Sequence, residues 1–325
     1  MSTKPSSPAP DLWLSIVVPV FNEAQNVQPL VDDIVREADR LGYTYEVILV
    51  NDGSTDGSEA ALDRAAEGRP QVKVIHFAAN RGQTLAIRAG LEAASGRRWV
   101  TLDGDRQNDP SDMGPLLERL EQGFVCVSGW RKDRQDSGLR RMVSRAANGL
   151  IRKIARSPVH DLGCTLKAYR PDALEPRELF GEMHRFLAIL AAARGPVAEM
   201  VVKHHPRTAG TSKYGLNRTA RVVTDVLLLR ILLKYSTRPS HLFAKIAQWL
   251  VMVGGVMFAL GLFDAWVYPF AHWLGSWFVP AILLGMGAVV VLSVGLVAEL
   301  VVRNRYLITG ERPYRIARRV NFGDG

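Results

Sequence analysis

The sequence predicts an α/β domain with a mostly parallel sheet covered on both faces, followed by a two-helix transmembrane hairpin. Three observations carry this. Short, often β-branched apolar runs alternate with helical patterns from residue 14 to 129. Two long apolar segments lie beyond residue 240, and two carboxylates, Asp103 and Asp105, stand two residues apart at the end of the apolar run 98–102.

The elements follow in chain order. Residues 1–13 are polar and Pro/Ser-containing, without the apolar core of a signal peptide, and are expected to form a disordered lead. Strands are expected at Leu14–Val20, Tyr45–Asn51 and Val72–Phe77, and at residues 99–103 and 124–128, each short and bounded by Gly, Asn or Asp. Between the first two, Val27, Leu30, Val31, Ile34, Val35, Ala38 and Leu41 recur at helical spacing and make one apolar face. Residues 83–94 and 113–122 repeat that pattern. Such alternation puts ligands at the carboxyl ends of the strands, where Asn51-Asp52-Gly53 and Asp103-Gly104-Asp105 both fall.

The membrane part is expected at residues 246–263 and 278–302, each long enough to cross a hydrocarbon layer of about 30 Å. The intervening stretch 264–277 holds Trp266, Tyr268, Trp273 and Trp277 but no Lys or Arg. Arg230, Lys234, Arg238 and Lys245 precede the pair, and Arg303, Arg305, Arg312, Arg315, Arg318 and Arg319 follow it. Basic flanks on the same side place both chain ends and the α/β domain in the cytoplasm. Glu299 falls near the cytoplasmic end of the second span, where a structural ion pair suits it better than transport. Two further segments, 139–156 and 216–235, mix apolar and basic residues as interfacial helices do, or as helices packed on the domain with a solvated basic face do.

Composition bounds the chemistry. The 325 residues are 47% apolar, enough for one core and a membrane part, and the formal charge of +9, mostly from arginine, suits nucleic acid, anionic lipid or phosphorylated substrates. Cys126 and Cys164 are the only cysteines, with no CxxC or Cys/His spacing, so neither a disulfide framework nor a zinc site is supported. His204-His205 lacks a third ligand at useful spacing and reads as strand or loop. The Asp103/Asp105 pair at a rigid strand end suits Mg²⁺ or Mn²⁺ with coordination sites left for phosphate oxygens.

Six ordered motifs carry a resemblance: VVPVFNE (17–23), VNDGSTDGS (50–58), NRGQ (80–83), TLDGDRQNDP (101–110), DLGCTLKAYR (161–170) and AGTSKYG (209–215). Together they resemble glycosyltransferase family 2, and within it the polyprenyl-phosphate glycosyltransferases, including dolichyl-phosphate mannose synthases and undecaprenyl-phosphate enzymes of bacteria. The resemblance runs from about residue 14 to the C-terminus. It implies a GT-A, Rossmann-like catalytic domain over residues 14–240, the two spans within 241–304 and a basic cytoplasmic tail at 305–325. It implies transfer of a sugar from a UDP- or GDP-sugar to polyprenyl phosphate with inversion, assisted by Mg²⁺ or Mn²⁺, in cell-envelope glycan synthesis at the inner or plasma membrane. A homo-tetramer is suggested by related bacterial enzymes, and no nucleic acid partner is implied.

Residue by residue, the resemblance assigns Pro19, Phe21, Glu23, Asp52 and Gly104 to the nucleotide. It assigns Asp103, Asp105 and Gln107 to the metal, and Arg131, Arg140 and Ser144 to the acceptor phosphate. Asp161 is a candidate for base or orienting group, and a phosphate monoester with a second pKa of about 6 is largely dianionic without a base. Glu182, Arg207 and Lys213 are weaker candidates. Glu182, His184 and Arg185 suit either the sugar site or a helix-start ion pair. Where relatives commonly read D-A-D-L-Q, this chain has Gly104 and Arg106, a cation expected to alter donor contacts. Other lipid acceptors, such as a glycerolipid, and an inactive membrane adaptor are the alternatives. A processive polysaccharide synthase is disfavoured, since the Q-x-x-R-W motif is absent and the spans are few.

Overall fold

A computed structural model describes residues 12–132, 159–181, 183–206, ten positions between 283 and 304, Tyr314 and residues 316–322. Arg140, Ser144, Glu182, Arg207, Lys213 and Glu299 lie outside the described residues. So do segments 139–156 and 216–235, the first span and most of the second.

Eight strands form one sheet in the order β7-β5-β6-β4-β1-β2-β3-β8. In chain order they are β1 (Leu14–Val20), β2 (Tyr45–Asn51), β3 (Val72–Phe77), β4 (Arg98–Thr101), β5 (Cys126–Trp130), β6 (Lys167–Tyr169), β7 (Val197–Val201) and β8 (Ile316–Val320). The first three match the sequence reading to the residue. β4 stops two residues early, because Leu102 donates to Val17 O from a loop that then turns under the end of β1. β5 starts two residues late; before it, Val125 N bonds to Pro196 O and Phe124 packs on the core edge.

β4, β1, β2 and β3 are parallel, joined by α1 (Ala24–Leu41), α2 (Ser58–Ala66) and α3 (Gln83–Ala93). Successive strand side chains point to opposite faces, so each strand feeds two layers. Leu14, Ile16, Val18 and Val20 of β1 pack with Val27, Leu30, Val31 and Ile34 of α1, and with α2 and α4 (Met113–Glu121). Val17 faces the other layer, where α3 approaches so closely that a Cβ on Gly90 would lie 2.3 Å from Val17 Cγ1. The short helix α5 (Leu187–Ala192) follows β6.

Three strands were not foreseen. β6 inserts antiparallel between β4 and β5, pairing Lys167 with both Thr101 and Ser128. β7 pairs parallel with β5, extending the sheet at that edge. Part of the expected basic tail is β8, antiparallel to β3, with Asn321 Nδ2 directed at the carbonyls of Ala66, Arg69 and Val72 and Tyr314 stacked on Phe77. An otherwise open edge of β3 is thereby paired.

Residues 227–311 form a separate compact unit. Its described positions between 283 and 304 are helical. Leu283, Met286, Val290, Val294, Val297 and Val301 are exposed on it at steps of three and four, one continuous apolar row. Among the described residues no helix is long and apolar enough to cross a membrane.

Candidate active site

The site is built at the carboxyl ends of β1, β2 and β4, which parallel pairing brings side by side. Asp52 follows β2, and its amide donates to Val20 O at 2.9 Å, fastening it to the end of β1. Gly53 has φ +65°, and a Cβ there would lie 2.4 Å from backbone atoms of Ala79 and Asn80, so only glycine allows this approach. The Asp52 carboxylate is buried and accepts from Asn80 Nδ2 at 2.9 Å, Arg81 N at 2.6 Å and Gly82 N at 2.9 Å. Burial pushes its pKa up, against these amide hydrogen bonds.

Gln83, the next residue of the same turn, donates from Nε2 to Asp103 Oδ1 at 2.8 Å. The four residues 80–83 therefore hold both the carboxylate assigned to the nucleotide and one assigned to the metal. NRGQ carried part of the family resemblance, but no role followed from sequence, because backbone amides aimed at a carboxylate 29 residues away leave no side-chain signature.

Asp103 is half-buried and Asp105 is 9% exposed. Burial, then the Asp105 carboxylate, pushes the Asp103 pKa up to about 6, against hydrogen bonding by Thr165 and the positive charges of Arg131 and Lys167. Two carboxylates that repel each other in one turn fit a hard divalent cation. Gln107 closes the turn, its amide donating to Asp105 Oδ1 at 3.2 Å while Nε2 points to His205 O at 3.4 Å. His205 in turn bonds Asp109, whose pKa is lowered to about 2: burial raises it, and the bonds from His205 and Ser111 outweigh that. Residues 203–206 thus tie the chain before Arg207 to the turn 103–107, with Asn108 and His204 forming an isolated β-bridge.

Gly104 is buried, and a Cβ there would meet Pro19 O at 2.9 Å. The turn closes on β1 only because that position has no side chain. Arg106, in the left-handed region at φ 59°, directs its guanidinium to Asp33 of α1 at 2.9 Å. Arg106 thereby braces the turn against α1. Phe21 and Glu23 are half-buried beyond β1, with Glu23 accepting from Asn26 Nδ2 at 2.6 Å, while Pro19 is fully packed in the strand.

Arg131 and Asp161 meet. Arg131 Nε and Nη2 lie 2.7 and 3.0 Å from the two Asp161 oxygens, and both side chains are less than a tenth exposed. Burial would raise the Asp161 pKa, but the guanidinium overrides it and holds the carboxyl below the usual range. A carboxylate so paired is a poor proton acceptor. Lys167, fully buried in β6, donates to Cys164 O, and its charge acts on both Asp103 and Asp161. Its signal in the sequence was a lysine inside an otherwise apolar run, but a lysine there looks like a surface residue until its strand is known to be central.

A mostly parallel sheet with three carboxylates at the carboxyl ends of β2 and β4, beside the switch of strand order, is a GT-A type, Rossmann-like architecture. The family model for Glycosyl transferase family 2 matches residues 15–177. The dodecaprenyl-phosphate galacturonate synthase of Rhizobium johnstonii is 36% identical over 308 residues, 93% of this chain and 91% of its own. An undecaprenyl-phosphate 4-deoxy-4-formamido-L-arabinose transferase of Pseudomonas aeruginosa is 34% identical over 90% of this chain and 86% of its own. The chain belongs to glycosyltransferase family 2 and is a glycosyltransferase, similar over most of its length to polyprenyl-phosphate sugar transferases. The fold also matches glucosyl-3-phosphoglycerate synthase of Mycobacterium tuberculosis, solved with Mn²⁺ and UDP, at a TM-score of 0.52 and 20% identity, over 67% of this chain and 80% of that one.

Proposed function

We propose that this glycosyltransferase moves a sugar from a UDP- or GDP-sugar onto a polyprenyl phosphate, with inversion, at a membrane. The observation that carries the donor half is the joint clamp of Asp52 and Asp103 by residues 80–83. Pro19, Phe21, Glu23, Asp52 and Gly104 form the nucleotide end. Asp103, Asp105 and Gln107 would hold Mg²⁺ or Mn²⁺, which supplies charge neutralisation of the departing diphosphate. The acceptor half rests on the polyprenyl-phosphate relatives. The acceptor phosphate is its own nucleophile, so the chain's task is to bind and orient it. Arg131, Arg140 and Ser144 are the residues assigned to this, of which Arg131 is held in a bidentate pair with Asp161.

Membrane attachment through residues 246–263 and 278–302 is supported by the apolar row from Leu283 to Val301, and the sheet topology is compatible with a hairpin there. β7 and β8 belong to one sheet, so the ends of the stretch between them, Val201 and Ile316, lie in the same compartment. Any crossings in that stretch are even in number, as a hairpin requires. A reporter at Ser276 should lie opposite one fused after Gly325; matching locations would remove the hairpin.

The direct test incubates the purified full chain with radiolabelled UDP- and GDP-sugars, Mn²⁺ and undecaprenyl phosphate, followed by organic extraction. Label should enter the organic phase only with the polyprenyl phosphate. Label that enters with a glycerolipid instead would replace the acceptor, and soluble label alone would overturn the lipid reading.

A further inference from the structure

Behind the nucleotide turn lies a chain of polar contacts that the reaction itself does not use. Asn51, the last residue of β2, accepts from Ser54 N at 3.0 Å through Oδ1, which bridges the turn holding Asp52. Its remaining amide group must then donate, and it lies 3.0 Å from His76 Nδ1. His76 is therefore the tautomer with its proton on Nε2, which lies 3.1 Å from Asp63 Oδ1 of α2. The other Asp63 oxygen takes the guanidinium of Arg318, from β8, which also reaches Glu59 at 3.3 Å. Arg318 Nη2 also lies 3.4 Å from His76 Nε2, so the guanidinium borders both the ring and the carboxylate. Burial lowers the pKa of His76, which is 1% exposed, and keeps the ring neutral against the pull of Asp63.

The source of the last link is unusual. β8 follows residues 227–311 in the chain, more than 230 residues after β3, yet it delivers one arginine to the network behind Asp52. The neighbouring Arg319 points the other way, its guanidinium lying over the Phe322 ring. One strand thus presents a coupled and an uncoupled cation side by side.

We propose that the C-terminal strand sets the nucleotide-binding turn through Arg318, Asp63, His76 and Asn51, acting as positioning residues for the donor. This rests on the reading of the Asp52 turn as the nucleotide site. Completion of that site would then depend on the chain having returned from the 227–311 unit to add its last strand. Losing Arg318 frees Asp63, loosens the Nε2 contact and lets the His76 ring and the Asn51 amide shift. The turn loses its fixed geometry while Asp103 and Asp105 stay in place.

The test uses the full chain in detergent, with UDP and GDP binding measured by calorimetry alongside transfer kinetics and thermal unfolding. Arg318→Met and His76→Leu should each raise the donor KM and the nucleotide Kd about tenfold, with kcat at saturating donor and the acceptor KM nearly unchanged. The double variant should be no worse than the weaker single, because both break one network. Arg318→Lys should recover part of the loss, and Arg319→Met should bind nucleotide normally. Equal effects of Arg318→Met and Arg319→Met, or a lowered melting temperature with unchanged nucleotide Kd, would overturn the proposal. Asp52→Ala separates the two readings: if it too leaves nucleotide binding intact, the nucleotide site is misplaced, whereas loss in Asp52→Ala alone removes only the role of β8.

Discussion

Two buried charge pairs lie close together in this domain and behave in opposite ways. Asp103 and Asp105 carry like charges, and part of the cost appears as a raised Asp103 pKa. Arg131 and Asp161 carry opposite charges in a bidentate pair and satisfy each other, with Asp161 held below the ordinary range. The first pair keeps like charges in conflict although Gln83 and the Gln107 amide donate to it. The second needs nothing, and an arginine already spent on a carboxylate has less to offer a phosphate. Frustrated charge marks a binding centre and satisfied charge marks scaffold, although sequence motifs treat both alike.

The comparison breaks most visibly at Asp105. Asp105→Ala, or chelation of the wild type, should lower transfer by about 10²–10³-fold or more while the fold persists, since it relieves repulsion. Turnover that survives both would remove the metal assignment. At the scaffold pair the loss should appear in stability instead. Asp161→Ala strands a buried guanidinium and should cost about 3–5 kcal/mol in denaturant unfolding, whereas Arg131→Met with Asp161→Leu should cost much less. A double variant as unstable as the single would mean that the pair is not self-contained.

Arg140→Ala sharpens the division of labour between arginines. If Arg131 is scaffold, Arg140 should carry the acceptor phosphate, and its loss should lower acceptor-side efficiency about 10- to 150-fold with nucleotide affinity unchanged. Nucleotide affinity that falls as much as in Asp52→Ala would place Arg140 elsewhere. A smaller effect is expected from acid. Asp103 gains a proton as pH falls through about 6, so apparent Mn²⁺ affinity should weaken below that point by up to about tenfold per unit. A flat profile between pH 7 and 5 would show that the two carboxylates do not repel. Gly104→Ala, pressed against Pro19 O, should displace the turn and raise the metal requirement a few-fold.

How much of this was legible differs from element to element. β1, β2 and β3 were readable to the residue, because buried strands of a mostly parallel sheet are short, mainly apolar runs and the turns that end them need Gly, Asn or Asp. β6 and β8 were not. Lys-Ala-Tyr is too short to show a period, and Ile-Ala-Arg-Arg-Val reads as a basic tail, because its strand character comes from the open edge of β3 rather than from its own side chains. Within the site, Asp52, Asp103 and Asp105 stood out as carboxylates at strand ends. Gln83, His76 and Arg318 did not, since their roles arise only when segments 20 to 242 residues apart meet.

Residue order alone determined the alternation of strands and helices, the family, and which carboxylates stand at strand ends. Those properties follow from local periodicity and turn chemistry, which neighbours in sequence decide. Tertiary structure decided which charges are paired and which are left in conflict. It turned Arg106 toward α1, joined Arg131 to Asp161 and brought Arg318 behind the nucleotide turn. The physical reason is that a charge is costly or useful according to its neighbours in space, and the chain acquires those neighbours only when the sheet closes.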